Sequence, residues 1–270
     1  MTKDQLGRYL KRIGYNGLVE PTAQVLCDLQ ECHYMSVPYE NLDMLSGTFY
    51  PLDEISLFEK VVKNQRGGYC FELNALFRHL LEAIGFKVAS YFGRFVLGAT
   101  DIPKRRHHIL RVSTPEVDYV GDVGVGVSVP LRSLKLVEND IQEQDSGTYR
   151  FIKDKFLGWV MQQLHHGKWR SIFSFTEEKQ VWVDFDAIHY FCVYSADSIY
   201  NRKLMLTLVH PEGRNTMDGL EYKQFRGSNV NVKTLTNQDE LRKALDEGFG
   251  IRLSYVDEQR LFARVFLPNA

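Results

Sequence analysis

The sequence predicts an α+β protein laid out in three successive stretches, and three observations carry that prediction. From residue 1 to about 85, apolar residues recur at spacings of three and four, the period of a helix with one buried face. From Phe86 to about Tyr194, short runs rich in β-branched and aromatic residues follow one another closely, as in a barrel or sandwich. The tail mixes strand-like runs with one capped helix. The predicted units are 1–85, 86–195 and 196–270.

In the first unit a short helix is expected over 5–13, ended by Gly14, and a second over 21–34 with Pro21 near its start. A third over 53–62 feeds the Gly67-Gly68 pair. The fourth opens at Cys70: Phe71, Leu73, Ala75, Leu76, Phe77, Leu80, Leu81 and Ile84 give it an apolar face, and Gly85 supplies the stop. In the second unit strands are expected at 87–95, 107–112, 118–123, 149–155, 159–164, 168–175 and 180–185, with His165-His166-Gly167 as a hairpin turn. In the third, 203–210, 219–224 and 230–235 read as strands. A helix over 237–247 follows, capped by Thr236 or Asn237 and stopped by Gly248. No repeat, low-complexity segment or long linker interrupts the chain, so the three units are expected to pack as one body.

The chemistry concentrates around Cys70. A helix N-terminus presents unpaired N–H groups and a partial positive charge, and both favour a thiolate. A cysteine so placed can have its pKa lowered from about 8.5 to roughly 3.5–7.5. Against this stands the ordinary fate of a free cysteine as a small buried hydrophobe. Partners decide between the two. The strands at 107–112 and 118–123 read as an antiparallel hairpin. Setting Val112 opposite Val117 places His107 opposite Asp122, close enough for the carboxylate to hold one ring nitrogen while the other takes a thiol proton. A slip of one residue exchanges the roles of His107 and His108, and Pro115 favours a wider loop that makes the register uncertain.

At these residues the chain resembles the arylamine N-acetyltransferases. The resemblance is carried by Arg66-Gly67-Gly68-Tyr69-Cys70-Phe71-Glu72-Leu73-Asn74, by His107 with Leu110 and Val112, and by Asp122-Val123-Gly124-Val125-Gly126. Tyr9-Leu10-Lys11-Arg12-Ile13-Gly14-Tyr15 and Pro38-Tyr39-Glu40-Asn41-Leu42-Asp43 add to it. It implies a helical bundle bearing the cysteine, a β-barrel bearing the histidine and aspartate, and a C-terminal α/β lid. It further implies a Cys70/His107/Asp122 triad that takes acetyl from acetyl-CoA and passes it to an arylamine, arylhydrazine or arylhydroxylamine. Val125 stands where the family often has an aromatic residue, so the acceptor preference implied is a shifted one. On this reading Tyr39, Tyr69, Phe71, Val125 and Val127 are candidates for the acceptor pocket. Lys104, Arg105, Gly126 and Ser128 are candidates for CoA, the cations because clustered positive charge suits phosphate. Arg66 and Glu40 read as a structural pair behind the glycines, with Asn41 beside them. Two other readings remain open: a hydrolytic or transglutaminase-like cysteine enzyme with the same three residues and no CoA, and a non-catalytic binding protein.

Composition fits a water-soluble enzyme. With 33 basic and 34 acidic residues, the net charge of −1 offers no global field for nucleic acid or a membrane surface. No apolar run approaches the ~20 residues of a spanning helix, and the first residues lack the apolar core of a signal peptide. The four cysteines, Cys27, Cys32, Cys70 and Cys192, are scattered as in a reduced cytoplasmic protein. Cys27, Cys32 and His33 lack a second ligand pair at zinc spacing, so no metal is expected. A monomer or weak homo-oligomer is expected.

Overall fold

In the computed structural model, which describes residues 1–126 and 130–266, the chain begins with α1 (Lys3–Arg12), α2 (Ala23–Ser36), α3 (Leu42–Leu45), α4 (Glu54–Phe58) and α5 (Cys70–Ile84). Local chemistry explains the starts. Thr2 and Gln5 form a reciprocal capping box on α1, Thr22 caps α2, and Asp53 caps α4 through the Ser56 N–H at 2.9 Å. The helix expected over 53–62 is not uniform: α4 ends at Phe58 and the chain widens into a π-helical turn, Glu59–Lys63. Lys60, in that turn, points inward. Helix α5 is the spine of this layer, with Phe71, Leu73, Leu76, Phe77, Leu80 and Leu81 fully buried against α1, α2 and α4.

Eight strands follow: β1 (Lys87–Phe95), β2 (His107–Ser113), β3 (Asp118–Gly121), β4 (Leu134–Lys135), β5 (Gln142–Gln144), β6 (Gly147–Asp154), β7 (Gly158–His165) and β8 (Lys168–Gln180). Their spatial order is β4-β3-β2-β1-β8-β7-β6-β5, every neighbour antiparallel, and the sheet curls into a nearly closed barrel around Tyr91, Ile109, Phe151, Met161 and Phe173. Two glutamines bridge the gap between the edge strands. Gln142 accepts from the Lys135 N–H at 2.8 Å and donates to the Lys135 carbonyl at 3.0 Å; Gln144 does the same at Arg132, at 3.0 and 2.8 Å. Each side-chain amide thus replaces a backbone pairing that the strands are too short to make.

In place of the strand expected over 180–185, β8 runs on to Gln180, the chain turns at 181–183 and α6 (Asp184–Tyr194) begins. The Asp184 carboxylate accepts the Val181 N–H at 2.9 Å and turns the chain, and Phe185, Cys192 and Val193 then join the core of the leading helices. A second sheet, the meander β9 (Met205–His210), β10 (Gly213–Asp218), β11 (Glu221–Arg226) and β12 (Asn229–Thr234), is backed by α7 (Gln238–Phe249) and α8 (Tyr255–Phe266) through Leu206, Met217, Leu241, Leu245, Phe249 and Leu261. Helix α7 ends at Gly250, which adopts a left-handed conformation, and not at Gly248. A Cβ on Gly248 would come within 2.4 Å of the Tyr222 hydroxyl, so this glycine serves close packing. Among the described residues, no helix is long and apolar enough to cross a membrane.

The layers meet at residues 38–40. Tyr39 exchanges backbone hydrogen bonds with Thr207 of β9 at 2.9 and 3.0 Å. Its neighbours bond to the Gly67-Gly68 turn: the Glu40 N–H donates to the Gly68 carbonyl at 2.9 Å, and the Gly68 N–H donates to the Pro38 carbonyl at 3.3 Å. One extended segment therefore ties the second sheet to the turn that launches α5.

Candidate active site

Gly67 is glycine because a Cβ there would lie 1.9 Å from the Pro38 carbonyl oxygen, so the turn can press flat on the 38–40 segment. Tyr69 is the N-cap of α5. Its N–H donates to Glu72 Oε2 at 3.1 Å, and Cys70 follows as the first helical residue. Behind the turn lies a buried ionic cluster. Arg66 bonds Glu40 Oε1 at 2.7 Å and Asp43 Oδ1 at 3.0 Å, while Lys60 lies 2.6 Å from Asp43 and 2.7 Å from Glu72. Burial pushes the Glu72 carboxyl up and Lys60 pulls it back only in part. Burial also lowers Lys60, but Asp43 and Glu72 outweigh it and hold the lysine above its usual value.

His107 begins β2. The hairpin turns one residue later than expected: Ser113 faces Asp118 and Val112 faces Tyr119, and Thr114 donates its hydroxyl to the Val117 carbonyl at 2.7 Å across the four-residue loop 114–117. Asp122 therefore lies beyond the end of β3 and is not directly opposite His107. The shift is two residues, an even number, so both side chains stay on one face. His107 Nε2 meets Asp122 Oδ2 at 2.6 Å, and Cys70 lies near enough to the imidazole to favour its charged form. Burial alone would lower the histidine; the charge and hydrogen bond of Asp122, helped by Cys70, push it up to about 10. His108 points the other way, to Ser90 Oγ at 2.9 Å and the Phe185 ring, and burial holds it well below its usual value.

Asn74, one turn after Cys70, locks the arrangement. Its Nδ2 donates to Asp122 Oδ1 at 2.8 Å and to the His108 carbonyl at 2.7 Å, and its Oδ1 accepts the Val123 N–H at 2.8 Å. Gln30 accepts the Asp122 N–H at 3.0 Å. Gly124 crosses so close to Cys70 that a Cβ would stand 2.5 Å from the cysteine Cα. Asn74 lay inside the motif read from sequence, but its role was missed. An asparagine on an otherwise apolar helix face was the available signal.

Cys70 is 2% exposed and lies at the wall of a cavity of about 520 Å³, within the ~300–1,000 Å³ usual for ligand sites. Tyr39, Val125, Gly126 and Lys104 line it as expected. Tyr69 and Phe71 do not: both are fully buried, Tyr69 with its hydroxyl 2.5 Å from His189 Nδ1 and Phe71 packed edge-on to Phe185. Arg105 turns out of the cavity to Glu178 at 3.3 Å. Val127 and Ser128 lie outside the described residues. The sequence implied a lid over the cleft but named none of the side chains on this opposite wall, where Tyr200, Lys203, Met205, Arg214, Lys223 and Phe225 come from the second sheet and its lead-in. Among the described lining residues five are cationic, Lys104, Arg106, Lys203, Arg214 and Lys223, and Asp218 is the one carboxylate. No sequence signal ties that wall to Cys70, because its residues lie more than a hundred positions away.

This architecture and cavity define an acyltransferase: the family model described as N-acetyltransferase matches residues 22–258. An arylamine N-acetyltransferase / N-hydroxyarylamine O-acetyltransferase of Salmonella typhimurium is 30% identical over 254 residues, covering 93% of this chain and 90% of that protein. The solved structure of an arylamine N-acetyltransferase from Salmonella typhimurium superposes with a TM-score of 0.92 at 29% identity over 99% of each chain. That of the Mycobacterium marinum enzyme in complex with CoA superposes with a TM-score of 0.88 at 30% identity, over 96% of this chain and 98% of that one. The chain belongs to the arylamine N-acetyltransferase family.

Proposed function

We propose that this enzyme moves acetyl from acetyl-CoA to the nitrogen of arylamines, arylhydrazines or arylhydroxylamines by a ping-pong mechanism through acetyl-Cys70. The observation that carries the reading is Cys70 beside a His107 held by Asp122, both Cys70 and His107 opening on a cationic cavity. Cys70 sulfur attacks the thioester carbonyl, the C–S bond to CoA breaks, and CoA leaves as a thiol. One thioester replaces another, so this half is near balance; amide formation in the second half is downhill. His107 takes the thiol proton and returns it to the leaving group, then takes a proton from the attacking amine. Asp122 holds the imidazole and favours its charged form, which agrees with the raised pKa of His107.

Lys104, with Arg106, Lys203, Arg214 and Lys223, faces the CoA phosphates. Arg105 is dropped from that role, as its guanidinium is turned outward. Gly126 remains a candidate for CoA, while Tyr39 and Val125 bound the acceptor end, and Val125 leaves room there for wide ring systems. The units 1–85, 86–195 and 196–270 serve as bundle, barrel and lid, with the site between them, and a reducing cytoplasm suits the free thiols. Initial rates with acetyl-CoA and 4-aminosalicylate varied together test the mechanism. Parallel double-reciprocal lines, abolished in Cys70→Ala, are expected; intersecting lines or a fully active variant refute it. Acylation from a glutamine peptide in place of acetyl-CoA would favour the transglutaminase-like alternative.

A further inference from the structure

Acyl transfer at Cys70 turns the thioester carbonyl into an oxyanion, and a donor must meet that oxygen at about 2.7–3.1 Å. The backbone N–H of Cys70, at the open end of α5, is placed to supply one donor. Among the described residues, three polar groups lie against the sulfur: the Arg106 carbonyl oxygen at 3.5 Å, the His107 imidazole, and the Tyr200 hydroxyl at 4.0 Å. A carbonyl cannot donate, and His107 is committed to the proton. The hydroxyl is the one side-chain donor left. It stands too far from sulfur for a strong bond to it, at about the distance an oxygen two bonds out from sulfur would need.

We propose that Tyr200 is a further catalytic residue, whose hydroxyl donates a hydrogen bond to the acyl oxygen carried on Cys70. The inference rests on the acetyl-Cys70 reading above. As the Cys70 sulfur bonds to the carbonyl carbon, the C=O π electrons move onto oxygen, where Tyr200 meets them. When they return, the bond to CoA sulfur breaks and His107 protonates the thiolate. Tyr200 keeps its own proton throughout.

The hydroxyl is fixed from three sides. Its residue sits in a single 3₁₀ turn, Ile199–Asn201, opened by Ser198, whose hydroxyl accepts the Tyr200 N–H at 3.3 Å. Asn41 donates to the Tyr200 carbonyl at 2.9 Å and the Lys203 carbonyl at 2.8 Å, and accepts the Met205 N–H at 2.8 Å. The ring packs edge-on to Tyr69 at 5.1 Å between centroids. The Tyr39 phenol stands beside it, near both Cys70 and the Tyr200 hydroxyl. Such a dipole is set before the reaction begins and needs no reorganisation during it. Burial raises both phenols, so both stay protonated at neutral pH.

The test compares Tyr200→Phe with the parent enzyme in three readouts: the CoA burst on mixing with acetyl-CoA, alkylation of Cys70 by iodoacetamide, and the infrared carbonyl band of ¹³C-acetyl enzyme. Alkylation builds no oxyanion at sulfur, so it separates the two roles a hydroxyl can have here. The expected result is a burst slowed about 100-fold, unchanged alkylation, and a carbonyl band moved to higher frequency as its hydrogen bond is lost. Tyr39→Phe, which keeps the Tyr200 hydroxyl, is expected to slow the burst by only a few-fold. A parent-like burst or an unmoved band in Tyr200→Phe overturns the proposal. So does alkylation that falls in step with the burst, since Tyr200 would then tune the sulfur instead. If the parent enzyme itself gives no acetyl adduct, the proposed function fails and this inference falls with it.

Discussion

The two walls of the cavity are held by different physics. The wall made by α5, β2 and the 122–126 loop is dry and over-determined. Asp122 has His107, Asn74 and the Gly124 N–H on its carboxylate, and Lys60 and Arg66 are shared among three buried acids. The wall made by the second sheet is more exposed and is tied by surface pairs. Lys203 pairs with Asp218 and Lys223 with Glu221 at the surface, and Arg214 lies over the Phe225 ring at 4.0 Å. Buried, fully bonded groups surround Cys70, and half-exposed cations line the other side of the cavity.

The sharpest break of this contrast is Asp122→Asn. It preserves shape but removes the charge that orients and charges His107, and acetylation should slow by about 10⁴-fold, read as the CoA burst. Next comes stability. Lys60→Met strands Glu72 without its cation, leaves Asp43 with Arg66 alone, and should cost about 3–5 kcal/mol in denaturant unfolding. Lys203→Met, in an exposed pair, should cost less than about 1 kcal/mol. Equal costs would erase the distinction between the walls.

Acid should act through three buried histidines that do not line the cavity. Burial lowers His33 to about 3 and His189 to about 4, against a usual 6.5, and holds His108 well below that value too. As pH falls below about 6.5 the unfolded chain takes protons these three refuse, so stability drops with a slope of up to three protons. His107 works in the opposite sense: raised to about 10, it contributes fully below 6.5 and loses its contribution as pH climbs through 10. Urea titrations from pH 4 to 10 check both signs; His189→Gln should flatten the acid limb. The smallest effect belongs to the second-sheet wall. Arg214→Ala should raise KM for acetyl-CoA by about tenfold or less, leave kcat nearly unchanged, and weaken the salt dependence of KM.

What sequence could reveal follows the same division. The buried wall is local: Cys70, Glu72 and Asn74 share one helix end, and His107 and Asp122 share one hairpin. There a two-residue error in register still left both side chains on the right face. The barrel, too, was visible as a run of short strands. Its closure by Gln142 and Gln144 was not, because an amide standing in for backbone has no periodicity. Strand β10 was missed because Arg214, Asn215 and Thr216 are polar and little more than Met217 and Asn215 turn inward. Helix α8 was missed as well. Tyr69 and Phe71 were misplaced because aromatic residues beside a nucleophile look alike whether they face a ligand or a core. Tyr200 was invisible, since only folding brings it 4.0 Å from the sulfur.

The central claim is that Cys70 carries the acetyl group, and rapid-quench intact-mass spectrometry tests it most directly. Mixing with acetyl-CoA should add one acetyl group, mapped by proteolysis to Cys70, and 4-aminosalicylate should then remove it as the N-acetyl product. A protein that turns over arylamine with no adduct, or whose adduct survives Cys70→Ala, would contradict the account.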